Sequence, residues 1–236
     1  MRKVIAFMLT LLLLTVPVWA DETEEARNVR EIYTVEDLYA VKEAPSESYI
    51  LMEDLDMKGQ TWTPFAFSGH FDGQGHSILN LELSGPGTEM FTVVDGTQQT
   101  FDAVFCGLFS ALTNAEVKNL NLLNVYGVIQ SAQPCLAGPI AGYSMDSTIT
   151  DCSVTGRLEL RAYNSMYGLG GLAGYGVGDI VGCKTDVTLI CVDTDDSTMD
   201  FQFMGGAYAA GFMTVENCDI KLDGYISEHG YVHSGG

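Results

Sequence analysis

Four stretches of this chain repeat one another at nearly constant spacing, and no other feature restricts its fold as much. "GLFSALTNAEVKNLNL" begins at Gly107, "GPIAGYSMDSTITDCSV" at Gly138, "GGLAGYGVGDIVGCKTDV" at Gly170 and "GGAYAAGFMTVENCDIKL" at Gly205. Each opens on glycine with small or apolar neighbours (Gly171, Gly174 and Gly206 among them), passes a short polar turn and enters an alternating strand. The strand quartets end at Leu120, Cys152, Cys183 and Cys218, which lie 32, 31 and 35 positions apart. One such unit cannot bury its apolar face alone, so units must stack. A unit of this length fits one coil of three short strands, and equivalent residues of successive coils then lie at the strand spacing of about 4.8 Å. Strands stacked in this way are parallel, and the expected fold is an all-β solenoid.

The repeat also disposes of a tempting motif. Gly168, Gly170 and Ala173 match the Gly-x-Gly-x-x-Ala spacing of a dinucleotide-binding loop. Such a loop occurs once, between a strand and a helix whose N–H groups and dipole hold the phosphate. Here the glycines recur at the same place in several units and are followed by alternating β-formers. They are stacking residues.

The quoted segments resemble GLUG-motif repeats, through "GGLAGY" from Gly170 and more loosely "GLFSAL" and "GPIAGY". The first repeat has Ser110 in place of the second glycine, and the last reads "GGAYAAG". Upstream, "EIYTVEDLYAV" resembles the lead-in helix of that family, with Thr34 as N-cap and Asp37 closing a capping box. "YILMEDLDMKGQTWTPF" and "FSGHFDGQGHSILNLEL" resemble its first coils. The most specific element there is the turn Phe71, Asp72, Gly73, Gly75 and His76. The similarity runs from about residue 31 to 226. It implies a right-handed parallel β-helix with a short N-terminal capping helix, carried on bacterial secreted or surface proteins. The family also occurs beside immunoglobulin-A-cleaving metallopeptidases and in adhesin-like proteins. Residues 84–104 stand out as an insertion, read as a hairpin projecting from the coil.

The chain begins with Arg2 and Lys3, the apolar run "VIAFMLTLLLLTV", Pro17 and then Val18-Trp19-Ala20. This pattern is a secretory signal peptide over residues 1–20, cleaved after Ala20. Residues 21–30 read as an acidic linker, and 31–236 as the solenoid, with GLUG-like repeats over about 107–226. Without Arg2 and Lys3, nine basic residues face 31 acidic ones, a formal charge of −22. Such a surface repels phosphate backbones and anionic lipid, so the expected partners are neither nucleic acid nor membrane. The end of the sequence at "HSGG", soon after a repeat and without a polar cap, leads to the expectation that another chain or a continuation covers that end.

Candidate chemistry is sparse. Cys152, Cys183 and Cys218 share the register of Leu120, so they read as an inward column of small apolar residues. Cys106, Cys135 and Cys191 lie elsewhere, and one disulfide among them is open. No histidine lies near the column to activate a thiol. His229 and His233 are four apart, but "HGYVH" lacks the glutamate of a zinc peptidase, and no peptidase motif occurs in the chain. His70 and His76 flank a turn and read as turn packing. Asp193, Asp195, Asp196 and Asp200 in "DTDDSTMD" form a low-grade ligand loop: weak calcium binding is open, although Thr198 and Met204 stand where an EF-hand needs glycine and glutamate. Asp151, Asp186, Asp193 and Asp195 supply carboxylates without marking out a pair. No metal or cofactor is expected beyond that loop.

The function expected from these residues is an exported, non-enzymatic surface or secreted module that binds in an adhesin-like manner or acts as a spacer. The partner would be a host or cell-surface protein or glycan. Phe91, Phe101, Tyr126, Tyr163 and Tyr167, on or near irregular loops, are aromatic contacts to weigh against simple packing. The alternative is a carbohydrate-active enzyme, a lyase or a hydrolase, on the same fold. A hydrolase would need two carboxylates across one groove.

Overall fold

A computed structural model describes residues 29–84, 90–94, 100–131, 133–162, 167–193, 201–226 and 231–235. Three sheets run along the molecule as the faces of a β-solenoid, and every pairing but one is parallel. The first face stacks Val29–Ile32, Ser48–Leu51, His70–Asp72, Glu116–Lys118, Ala141–Thr150, Ala173–Val181 and Tyr208–Glu216, with Phe65–Phe67 and Phe109–Thr113 alongside. The second runs from Leu55–Asp56 through Ser77–Leu79, Asn121–Ser131, Ser153–Ala162 and Lys184–Asp193 to Asp219–Ile226. The third holds Thr100–Cys106, Cys135–Ala137, Tyr167–Gly170, Phe201–Gly205 and Tyr231–Gly235.

The alternation read from the sequence becomes columns inside this prism. Tyr49, Phe71, Val117, Ile149, Ile180 and Val215 succeed one another in register on the first face. All but the last are buried. The polar turns between first and second faces are corners in the left-handed backbone region, at Asn119, Asp151, Gly182 and Asn217, with φ of 52°, 50°, 67° and 55°. Asn, Asp and Gly are the residues that adopt this conformation at least cost, which accounts for the Asn, Asp or Gly ahead of each Leu/Cys position.

Between third and first faces the chain turns through Gly107 and Gly138. A Cβ on Gly138 would lie 2.6 Å from the Ala173 Cα, and one on Gly107 2.5 Å from the Gly138 carbonyl oxygen. Successive coils touch backbone to backbone here, so the opening glycine of each unit is steric in origin. Gly168 and Gly170 lie within the strand Tyr167–Gly170, and Ala173 begins the next strand. No helix follows them, so the nucleotide-loop spacing has no phosphate-binding geometry.

The N-terminal end is closed by the helix Val35–Ala40. Thr34 caps it: the Asp37 N–H donates to Thr34 Oγ1 at 3.2 Å, and the Thr34 N–H donates to Asp37 Oδ2 at 2.9 Å. Hydrogen bonds from the Tyr33 N–H and from Thr34 hold the Asp37 carboxyl below the usual range. One boundary differs from expectation. The fold starts inside the stretch read as linker, because Val29 and Arg30 pair with Ser48 and Tyr49 and Arg30 donates to Glu47. In the insertion Met90–Val94 pairs antiparallel with residues 100–104, while Cys135–Ala137 pairs with residues 104–106, so this pair of strands meets the third face of the coil only at Val104.

Candidate functional site

The Phe-Asp-Gly-x-Gly-His turn is structural at every position. Phe71 is fully buried. Asp72 accepts from the Gln74 N–H at 2.9 Å and from Asn119 Nδ2 at 3.0 Å, which ties the turn to the coil above. A Cβ on Gly73 would lie 2.5 Å from the Asn119 carbonyl oxygen, and Gly75 has φ of 80°. His76 lies 3.4 Å from Asp54, and His70 hydrogen-bonds Glu116 at 3.0 Å. Neither histidine has a nucleophile within these contacts.

The thiols are also accounted for by packing. All six cysteines are thiols, five buried and Cys218 half-buried. Cys152, Cys183 and Cys218 stand above Leu120 at the corner of the first and second faces, each just ahead of a paired strand start. Their Sγ atoms lie 3.3, 3.4 and 3.2 Å from the carbonyl oxygens of Thr150, Val181 and Glu216. Each also reaches a carbonyl of the coil before it: Val117, Ile149 and Ile180. Cysteine here is a small apolar residue with one weak donor at a corner that exposes carbonyls to the core. Cys106, Cys135 and Cys191 come together where the second and third faces meet: Cys135 hydrogen-bonds the Cys106 thiol, which with burial raises its pKa well above the ordinary value, and Cys191 lies close by. Burial pushes Cys191 up to about 12. Thiols held protonated in this way are poor nucleophiles.

Among the described residues the carboxylates do not converge. An open cleft of about 340 Å³ lies on the corner of the first and second faces, lined by Gln74, Gly75, Asn119, Asn121 and Asp151. Asp151 is its single carboxylate. Asp186 stands further along the second face, in register with Thr155 and Lys221. Among the described residues no group of three or more His, Cys, Asp or Glu side chains is placed to hold a metal ion. The loop side chains of Asp193, Asp195, Asp196 and Asp200 lie outside the described residues, as do those of His229, His233, Phe91, Phe101 and Tyr163. Of the remaining loop aromatics, Tyr167 is fully buried in the core, because its position continues the inward row of Val104 and Cys135. Tyr126 donates to Glu82 Oε2 at 3.2 Å on the second face.

A different aromatic set stands outside the core. Phe105, Ala103 and Leu136 form a second, smaller apolar cluster against which Tyr143 and Tyr175 pack, both half-buried. The Phe105 and Tyr143 rings stack with centroids 5.2 Å apart, and Tyr143 and Tyr175 with centroids 5.7 Å apart at 9°. Two glycines allow this ridge. A Cβ on Gly142 would lie 2.5 Å from the Cys106 nitrogen, and one on Gly174 2.4 Å from the Ala137 nitrogen, so these strands press directly on the third face. Burial raises the Tyr143 phenol, which stays a donor. The signal for the ridge is in the repeats themselves: "AGY" occurs twice at one register, with Ala111 and Ala210 in the flanking units.

Neither a family model nor a curated protein sequence matches the chain. Among solved structures it is similar to the crystal structure of a candidate immunoglobulin A1 protease from Bacteroides ovatus, at 17% identity and a TM-score of 0.44 over 86% of this chain and 84% of that one. It is also similar to an IgA1 protease at 14% identity and a TM-score of 0.41, covering 90% of this chain and 21% of that one, about a fifth of its length. At these values the likeness assigns neither family nor activity.

Proposed function

We propose that the chain is an exported β-solenoid of the GLUG-repeat kind that binds a surface glycan without catalysis, through the half-buried pair Tyr143 and Tyr175, which is backed by the buried Phe105 ring. The observation that carries this reading is the in-register tyrosine pair held outside the main core, on a scaffold whose open cleft at the corner of the first and second faces carries a single carboxylate. Tyrosine supplies a large contact area with few rotatable bonds and a polar tip, which suits a sugar polymer lying along the coils. The formal charge of −20 favours a neutral or basic ligand over an acidic one. The signal-peptide pattern of residues 1–20 supports this reading, since export would bring the molecule to where such ligands are met.

A panel of neutral and acidic polysaccharides, tested by affinity electrophoresis and in parallel by release of reducing ends, separates this from the enzymatic alternative. Retardation by a neutral glycan without turnover is expected. The Tyr143→Ala/Tyr175→Ala variant should lose at least about tenfold in affinity, because two stacked aromatic contacts are removed. Chain cleavage abolished by Asp151→Asn would replace the binding module with a carbohydrate-active enzyme. Retardation unchanged in the double tyrosine variant would move the contact elsewhere.

A further inference from the structure

The open cleft at the corner of the first and second faces is built from three successive coils, with a further coil paired on either side. Gln74 and Gly75 come from one coil, Asn119 and Asn121 from the next, and Asp151 from the third. Hydrogen bonds between coils fix its walls. Asp72 accepts from Gln74 Nε2 and from Asn119 Nδ2, each at 3.0 Å. The Gly75 N–H donates to the Asn119 carbonyl at 2.8 Å. Asn121 spends its amide entirely on the scaffold. Its Nδ2 donates to the carbonyls of Gly75 at 2.7 Å and His76 at 3.4 Å, and its Oδ1 accepts from Ser153.

The groups left over decide what the cleft can take. The Gln74 and Asn119 amides have each used one N–H on Asp72, so each keeps one N–H and its carbonyl oxygen. Asp151 is exposed, and among the described residues nothing donates to its carboxylate. The coil above makes room for that carboxylate. Asn119, Asp151, Gly182 and Asn217 hold the same left-handed corner, and only Gly182 lacks a side chain. A Cβ there would collide with Asp151 Oδ1. A cation would serve the oxygens and leave the two N–H groups idle. An anion would meet Asp151 and a formal charge of −20. Two adjacent hydroxyls serve every group, because each can donate to the carboxylate and accept from an amide N–H. The cleft volume of about 340 Å³ falls at the small end of ligand pockets, which suits a single sugar ring.

From this we infer that the cleft is a second carbohydrate site, which binds one neutral sugar residue by a vicinal diol held between Asp151, Asn119 and Gln74. The walls are held before the ligand arrives, so binding orders little of the protein. Tyr143 lies near the start of the strand Ala141–Thr150 and Asp151 just past its end, so the two sites occupy opposite corners of the first face. The inference does not rest on the reading of the tyrosine pair.

Nuclear magnetic resonance of nitrogen-15-labelled protein, titrated with the methyl glycosides of glucose, galactose and mannose, tests it. At least one glycoside is expected to shift the side-chain amides of Gln74 and Asn119 and the backbone amide of Asp151. Asp151→Gly copies the corner residue of the next coil, so the fold and the circular dichroism should be unchanged. Its affinity should fall by about tenfold or more, because the charge-assisted hydrogen bonds are lost. The Tyr143→Ala/Tyr175→Ala variant should give the parent titration at these amides. Shifts confined to the surroundings of Tyr143 and Tyr175 overturn the inference and leave the reading of that pair standing. A glycoside response that Asp151→Gly leaves unchanged overturns it too. So does silence with all three glycosides, or a response to methylammonium alone, which would make the cleft a cation site.

Discussion

Replacing Phe109 with alanine is expected to cost about 5 kcal/mol, half or more of the stability of an ordinary domain. Phe109 is fully buried. Its ring lies 4.6 Å from Phe67 in a stacked arrangement, 5.6 Å from Phe65 edge-on and 5.8 Å from Phe71. Truncating a core phenylalanine costs about 3–5 kcal/mol, and each lost aromatic pair adds about 0.5–1.5. Position matters as much as size. Phe109 opens the strand that joins Phe65–Phe67 to Ala141–Thr150, and so links the N-terminal coils to the glycine-opened repeats. In a solenoid each coil leans mainly on its neighbours, so loss of this link should decouple the two halves. Urea unfolding followed by tryptophan fluorescence reads the effect directly in protein produced from residue 21 onward, where Trp62 is the one tryptophan and packs on Phe65 among the N-terminal coils. A single transition with a midpoint close to that of the parent would show that the cluster is not the joint between the halves.

The parts of this fold that are local or repeated are legible in the sequence, and the parts made between coils are not. The Thr34–Asp37 box is readable because capping involves residues three apart. The glycine and Leu/Cys registers are readable because each recurs at the coil period, and the structure places those residues in columns. Gly73 shows the limit within a readable motif. Its turn stands out as a pattern, but the reason for glycine is the Asn119 carbonyl, 46 residues later and one coil above.

The candidate site is harder to see for the same reason. Tyr143 and Tyr175 sit in the quoted repeats at one register, yet their exposure depends on Gly142 and Gly174 pressing against the third face. Phe105, the third ring, comes from an element outside the repeat alignment. Tyr167 appears in sequence as a loop aromatic, and only the pairing of Cys135 with Tyr167 turns it inward. The group of Cys106, Cys135 and Cys191 has no common spacing at all, since its members come from different positions on two faces.

That group supplies a second large effect, at alkaline pH. Cys191 is fully buried behind the second face, and burial raises its pKa from 9.0 to about 12. A pKa raised on folding means that the native state holds the proton more tightly than the unfolded chain. The resulting stability is present in full below pH 9 and is lost as the pH climbs from 9 towards 12. Three units correspond to about 4 kcal/mol at the upper end, and roughly 2 kcal/mol is gone by about pH 10.5. Cys135, Cys152 and several tyrosines shift in the same direction, and Cys183, lowered by its hydrogen bond with Cys152, shifts in the opposite one, so on balance the parent protein should weaken over this range. Valine at position 191 keeps an apolar side chain of similar size and removes one of these protons. Under reducing conditions Cys191→Val should therefore match the parent to within about 1.5 kcal/mol at pH 7 and outlast it at pH 10.5. The measurement is the urea midpoint at half-unit steps from pH 7 to 11. Parallel curves for parent and variant would mean that the Cys191 thiol does not titrate with unfolding, and that the alkaline loss belongs to the phenols and the remaining thiols.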